Sequence, residues 1–311
     1  MARSHRRAHA RADSDTNRRA GDARTHTGGD ARTNRRRGSP EQGRGEALRG
    51  AGARSRRGAY SRSLSQNFLA SRTVAERVVR VAAPERDGGL VVEVGAGTGA
   101  LTEALAPYCR ELIAYEIDRR LIGELRARLA AHPHVRVVAQ DFLAARPPRE
   151  PFSVVGNVPY ARTSAIVDWC LRAPRLDAAT FITQLEYARK RTGDFGRWSL
   201  LTVRTWPWHE WRLCGRVPRE CFRPVPRVDS AVLRIERRRR PLLPRGEEAA
   251  YGRMVEAGFG GAGGTLYASL RRAGHPPARL ATAFRAAGLA KDTVVAFAAP
   301  AQWLTLHKTL R

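Results

Sequence analysis

The sequence predicts an α/β domain on a seven-stranded, mostly parallel sheet, followed by a small C-terminal helical domain. Three observations predict it. Strand-length apolar runs alternate with helix-length segments from residue 60 onward. A glycine turn, Glu93-Val94-Gly95-Ala96-Gly97-Thr98-Gly99, joins the first of those runs to a helix. Beyond a proline-bracketed basic stretch, Arg237-Arg238-Arg239-Arg240-Pro241 to Pro244, only helix-like segments remain. Strands alternating with helices require right-handed crossovers, which lay helices over both faces of a parallel sheet.

Residues 1–59 stand apart from this pattern. They hold 16 Arg against six acidic residues, and Met1 and Leu48 are their only large apolar side chains. Such a segment cannot bury enough surface to offset its ordering entropy, so a disordered basic arm is expected there. From residue 60 to 240 we expect one catalytic domain. Its strands fall at Leu90–Val94, Glu111–Tyr115, Val135–Val138, Ser153–Gly156 and Ala179–Thr183. Helices are expected between them at Ala100–Ala106, Arg119–Ala131, Ser164–Arg172 and Glu186–Thr192. Two further strands, Leu200–Trp206 and Ala231–Ile235, are expected to complete the sheet edge in antiparallel fashion. Residues 241–311 read as a helical domain with helices at Glu247–Gly258, Gly264–Ala273, Pro277–Ala287 and Pro300–Leu310, the last opening on a proline.

Charge narrows the partners. The 311 residues carry 56 Lys+Arg and 29 Asp+Glu, a formal net charge of +27, far more than solubility needs. A field of that sign draws in polyanions and points to nucleic acid. Nearly all the cations are arginine, whose planar fork suits phosphates and whose face suits bases. The four cysteines form no C-x-x-C pair, so neither a zinc site nor a disulfide framework is expected, and no metal is. No run of 18 apolar residues exists and the N-terminus has no apolar core for a secretory signal, so no membrane partner and a cytoplasmic location are expected. A monomer is expected.

The residues that can carry chemistry sit at successive strand ends, where open α/β sheets bind ligands. Gly95 and Gly97 let the backbone turn sharply and approach a nucleotide-like ligand. Their G-x-G-x-G spacing departs from the G-x-G-x-x-G of pyrophosphate binders and argues against a dinucleotide. About twenty residues on, the next strand ends at Glu116, a carboxylate able to accept both hydroxyls of a ribose. Asp118 suits a helix N-cap. The third strand ends in Gln140-Asp141-Phe142, where Asp141 either accepts an amino N–H from an adenine ring or forms the turn. The fourth delivers Asn157-Val158-Pro159-Tyr160. An asparagine oxygen and the next backbone carbonyl can hold both N–H groups of an exocyclic amine, and Tyr160 offers a face for a base. Neither a shifted pKa nor a general base is needed if the group such an amine attacks is already activated, as a sulfonium methyl is.

These motifs, with Ser65-Gln66-Asn67-Phe68-Leu69 before them and Phe222-Arg223-Pro224-Val225-Pro226-Arg227-Val228-Asp229-Ser230 after them, resemble the ribosomal RNA adenine-N6 methyltransferase family from about residue 61 to the end. The resemblance implies a class I S-adenosylmethionine-dependent methyltransferase fold and S-adenosyl-L-methionine as cofactor. It implies cofactor contacts at Asn67, Leu69, Gly95, Gly97, Glu116, Asp141 and Asn157, and catalytic roles for Asn157 and Tyr160. Val158 stands where the family usually has Ile or Leu, a mild departure because the backbone carbonyl matters there. The segment Arg197–Val203, the Trp206-to-Trp211 cluster, Leu270-Arg271-Arg272 and the tail from Val294 to Leu304 look like the Erm-type macrolide-resistance enzymes, which act on large-subunit (23S) rRNA. The KsgA-type small-subunit dimethyltransferases are the alternative branch.

Three rivals have less support. A DNA adenine methyltransferase would need room for a recognition insertion. A dehydrogenase would need a different glycine spacing. A non-catalytic RNA-binding or transcription factor would not need the intact tetrad and Glu116. Trp206, Trp208 and Trp211 are expected to pack rather than stack on bases, and His209 to lie on the surface. Phe222 either packs under its proline turn or touches the target adenine. The run Arg237, Arg238, Arg239 and Arg240 is expected to contact phosphates.

Overall fold

A computed structural model describes residues 66–82, 89–261 and 264–311. The arm expected at 1–59 lies outside the described residues. The first strand, β1 (Phe68–Leu69), leads into helix α1 (Arg72–Ala82). The sheet then runs through β2 (Leu90–Val94), β3 (Glu111–Glu116), β4 (Val135–Ala139), β5 (Phe152–Asn157) and β6 (Leu176–Gln184). Its connecting helices are α2 (Ala100–Leu105), α3 (Arg119–Arg128) and α4 (Thr163–Arg172). After α5 (Leu185–Thr192) and α6 (Leu200–Thr205) come β7 (His209–Val217), β8 (Phe222–Arg223) and β9 (Ser230–Arg237).

Seven of these strands form one sheet in the order β4-β3-β2-β5-β6-β9-β7. The first five are parallel, and β9 runs antiparallel between β6 and β7. The order reverses direction at β2, with β3 on one side and β5 on the other. That is the switch point at which the carboxyl ends of neighbouring strands open a crevice. Every residue of β2 is buried, Glu93 included, as a central strand covered on both faces of a parallel sheet requires. Gly156 lets β5 lie this close to β2: a Cβ there would stand 2.6 Å from the Val94 carbonyl oxygen.

The seventh strand is not the one expected. Leu200–Thr205 is a helix, and the edge strand is His209–Val217. The β-branched, leucine-rich composition suggests a strand, but Ser199 caps the segment by accepting from the Thr202 N–H, and Thr202 and Val203 are buried on one helical face. Tertiary context outweighs propensity here. Helix α1 was not among the expected elements. Its buried residues Val74, Ala75, Val78, Val79 and Ala82 follow a helical period, and Arg234 donates from one guanidinium nitrogen to the Val81 and Ala82 carbonyls at its end.

Beyond residue 241 lie α7 (Glu248–Phe259), α8 (Leu266–Arg272), α9 (Pro277–Ala286) and α10 (Pro300–Leu310), close to their expected spans. Their core gathers Tyr251, Leu266, Leu270, Phe284 and Trp303, together with Val203 of α6. Trp198, Trp206 and Trp208 pack on its margin, and Tyr251 donates its hydroxyl hydrogen to the Val203 carbonyl at 3.1 Å. Trp211 is buried in the core on one face of the sheet. The tryptophans thus pack the join between sheet and helices. His209, the first residue of β7, is buried rather than on the surface. Burial and the neighbouring Arg237 charge lower its pKa to about 4.

Candidate functional site

The glycine turn leaves β2 with Gly95 at φ 72°, Gly97 at φ 57° and Gly99 at φ 88°, all in the left-handed region where a side chain is strained. At Gly97 space forbids one as well, because a Cβ would meet the Phe68 ring at 2.9 Å. The N-terminal segment is held over the turn by the two-stranded pairing of β1 with β8, Phe68 opposite Arg223 and Leu69 opposite Phe222. The Ala70 N–H adds a bond to the Cys221 carbonyl at 2.8 Å.

Glu116, at the end of β3, is buried and tied to the turn by both oxygens. Oε2 accepts from the Gly97 N–H at 2.8 Å, and Oε1 accepts from the Asp118 N–H at 2.7 Å. The carboxylate thereby fixes the loop and keeps further lone pairs for a ligand. Beneath it, burial pushes the Glu93 carboxyl up to about 7, with the Glu116 charge adding to the rise. Asp118 caps α3 by accepting from the Arg120 N–H, and the Arg120 guanidinium holds its pKa down.

Asp141 caps the turn Phe142–Ala144 through the Leu143 N–H at 3.0 Å and pairs with Arg162 at 2.8 Å. A carboxylate offers about four acceptor sites, so these two bonds leave capacity at the cleft. Two adjoining cavities, about 240 and 80 Å³, share Gln66, Gly95, Ile117 and Pro159. The larger is lined by the apolar side chains of Tyr115, Phe142 and Ile166 together with Asp141 and Gln140. The smaller holds Gly97, Glu116, Asn157 and Tyr160.

Asn157 ends β5. Its Nδ2 donates to the Asn67 carbonyl at 2.7 Å. A carbonyl only accepts, so this bond assigns the amide's two ends and leaves Oδ1 as an acceptor for something else. Tyr160 shares a 2.7 Å hydrogen bond with Ser230, the last residue of the proline-rich segment and fully buried. Burial raises the Tyr160 phenol above its ordinary value, so the ring is neutral at working pH. Asp229 braces that segment, accepting from the Arg219 N–H at 3.0 Å and pairing with Arg216.

The structure therefore brings Asn67, Gly95, Gly97, Glu116, Asp141, Asn157 and Tyr160 to one cleft. Leu69 lies beneath it, buried in the core with Phe222. Of the two alternatives for Phe222, packing is the one observed: it is 1% exposed. The basic run does not act as a unit, which corrects the expectation for its first half. Arg237 donates to the Leu176 and Ala173 carbonyls, and Arg238 to that of Trp206, so both guanidinium groups are used inside the fold. Arg239 and Arg240 are exposed. Ile117, 52% exposed at the cleft, is a further site residue, and its only signal in the sequence is an isoleucine between two acids at a strand end. Gln66, Phe68 and Ser230 reach the site only through long-range pairing.

The chain is 66% identical to the rRNA adenine N-6-methyltransferase of Streptomyces fradiae over 252 residues, 80% of this chain and 78% of that one. It is 51% identical to an rRNA methyltransferase of Streptomyces thermotolerans over 279 residues, 86% and 93% of the two chains. The crystal structure of the 23S rRNA methyltransferase ErmE superposes with a TM-score of 0.76 at 49% identity, covering 78% of this chain and 99% of that one. The family model for ribosomal RNA adenine dimethylase matches residues 59–311. With its sheet order, glycine turn and Asn157–Tyr160 tetrad, the chain belongs to the ribosomal RNA adenine dimethylase family.

Proposed function

We propose that this protein methylates the N6 amino group of an adenine in 23S rRNA, using S-adenosylmethionine, and so confers macrolide-type resistance. The observation that carries the reading is the Asn157 tether. With Nδ2 held on the Asn67 carbonyl, Oδ1 is a preorganised acceptor beside the glycine turn. Oδ1 and the Val158 carbonyl take the two hydrogens of the adenine amine. They orient its nitrogen lone pair toward the cofactor side and stabilise the positive charge that develops there. Tyr160, neutral and anchored through Ser230, offers its ring to the base and does not act as a proton acceptor.

The residues fit the cofactor. Glu116 would take the ribose hydroxyls and Asp141 the adenine amine, with Tyr115, Ile117 and Phe142 against the ring. When bound, S-adenosylmethionine supplies a methyl group already activated by its sulfonium. The likeness to the ErmE structure supports the large-subunit branch. The helices at 241–311 and the exposed Arg239 and Arg240 would then contact the RNA backbone.

The test is methyl transfer from labelled cofactor to 23S and 16S transcripts, followed by primer extension to locate the base. We expect label in 23S rRNA at an unpaired adenine, and a turnover lower by roughly 10²–10³-fold in Asn157→Ala, the usual loss for one preorganised polar contact to a reacting group. Label confined to 16S rRNA or DNA, or full activity in Asn157→Ala, overturns the assignment.

A further inference from the structure

Beside the catalytic cleft, with Asp229 in its wall one residue from Ser230, lies a cavity of about 990 Å³. Six cations line it: Arg189, Lys190, Arg197, Arg216, Arg219 and Arg227. Three are neutralised locally, since Arg189 pairs with Asp194, Arg216 with Asp229 and Arg219 with Glu220. Among the described residues, Lys190, Arg197 and Arg227 have no carboxylate within ion-pair distance. Glu186 also lines the cavity, so the wall, with six cations against four carboxylates, stays net positive toward a passing phosphate.

At the rim stands Phe195, 84% exposed, the most exposed large apolar side chain among the described residues. Its φ is 53°, in the left-handed region that a bulky residue avoids. Exposure wastes its apolar surface and its backbone is strained, so folding explains neither feature. The turn that presents it is firmly built. Gly193 and Gly196 flank it at φ 80° and 71°. The Gly196 N–H donates to the Gly193 carbonyl at 3.0 Å, the Arg197 N–H to that of Asp194 at 3.1 Å, and the Trp198 N–H to that of Ala296 at 2.7 Å. The Trp198 ring fills the place a Cβ on Gly193 would take. A strained, exposed aromatic fixed at the edge of a cationic cavity is the combination used to stack a base while neighbouring cations hold its phosphates.

We propose that Phe195 is a stacking platform for an unpaired nucleotide flanking the target adenine, with Lys190, Arg197 and Arg227 on the adjoining phosphates. This rests on the reading of the chain as an RNA adenine methyltransferase. A target adenine drawn from its stack leaves neighbours without a stacking partner, and the Phe195 ring supplies one. Every base has a π-face, so the site selects unpaired context rather than sequence.

The test uses the full chain and an RNA hairpin bearing the adenine in its loop, with Phe195→Ala, Phe195→Leu and Phe195→Trp. We expect the Ala and Leu variants to raise KM for RNA about 5- to 150-fold, the ratio corresponding to about 1–3 kcal/mol of base stacking. Turnover, cofactor affinity and melting temperature should stay near wild type, and Trp should restore KM. An abasic nucleotide at the stacked position should weaken wild type to the same degree and Phe195→Ala no further. Wild-type methylation with an unchanged KM in Phe195→Ala overturns the proposal. So does rescue by Leu, which would mark a plain apolar contact, or a loss seen only on ribosomal particles, which would mark a protein partner. A wild-type chain that methylates no RNA adenine refutes the underlying reading, and this one with it, in the wild-type arm alone.

Discussion

Replacing Glu116 by Gln separates the two tasks that the site assigns to one side chain. The native carboxylate accepts from Gly97 through one oxygen and from Asp118 through the other, at 2.8 and 2.7 Å, in a position 2% exposed. A glutamine has one acceptor end and one donor end. Whichever way the amide turns, its NH₂ faces a backbone N–H that cannot accept. One hydrogen bond to a charged acceptor is lost, worth about 1.5–3 kcal/mol, and a buried donor is left unmatched at a similar cost. Those two figures overlap, which puts the pair at about 2–4 kcal/mol. At about 2–4 °C per kcal/mol for a domain of this size, the melting temperature should fall by about 5–15 °C without any ligand. Scanning calorimetry with and without S-adenosylmethionine is the assay. Wild type should be stabilised by the cofactor, and the variant both start lower and gain less, because the ribose acceptor and the loop geometry go together. A Gln variant that melts like wild type and merely binds cofactor less well would refute the claim that Glu116 builds the loop.

Tyr160→Phe should retain most activity, because the ring remains, but lose about 1 kcal/mol of stability by stranding the buried Ser230 hydroxyl. Adding Ser230→Ala should recover part of that loss in urea unfolding, and strictly additive losses would argue against the coupling. The pH dependence of stability should carry a His209 component. Burial and Arg237 lower its pKa to about 4 in the fold, against about 6.5 in an unfolded chain. Between those values the unfolded chain binds the extra proton, so the contribution is complete above about pH 6.5 and is lost as pH falls toward 4, by up to about 3 kcal/mol. His209→Leu should flatten that slope, and an unchanged slope would show that His209 does not titrate in this window.

How far the sequence revealed this protein depended on how local each signal was. The β2 run, the glycine turn and the strand-end Glu116 are contiguous or nearly so, and they were read in place. The capped helix α3 was legible from Asp118 for the same reason. Leu200–Thr205 reads as a strand by composition because its helical state depends on a cap at Ser199 and on burial of Thr202 and Val203, which composition does not express. His209 and the pair Arg237 and Arg238 looked like surface residues because their chemistry is polar. What places the two arginines inside is the supply of carbonyls at Ala173, Leu176 and Trp206, from segments far away in the chain. Ser230 meets Tyr160 through the pairing of β9 with β6, and Phe68 reaches Gly97 through the pairing of β1 with β8.

That pairing gives Phe222 a testable role that the family motif alone leaves open. Phe222 sits opposite Leu69 in the ladder, is 1% exposed, and belongs to the core that also holds Val78, Leu101 and Ile182. A side chain so enclosed supports the cleft from below: it fixes β1, β1 fixes Phe68 over the glycine turn, and the Asn67 carbonyl next to it fixes Asn157. Phe222→Ala should therefore cost about 3–5 kcal/mol of stability, as large-to-small core changes do, and impair cofactor and RNA binding together. Phe222→Leu distinguishes support from base contact. Leucine fills much of the same volume but offers no flat ring, so a packing residue should regain most of its stability, cofactor affinity and KM for RNA. A Leu variant with wild-type stability and cofactor affinity but a KM for RNA raised tenfold or more would mean that the ring leaves its pocket to meet the base.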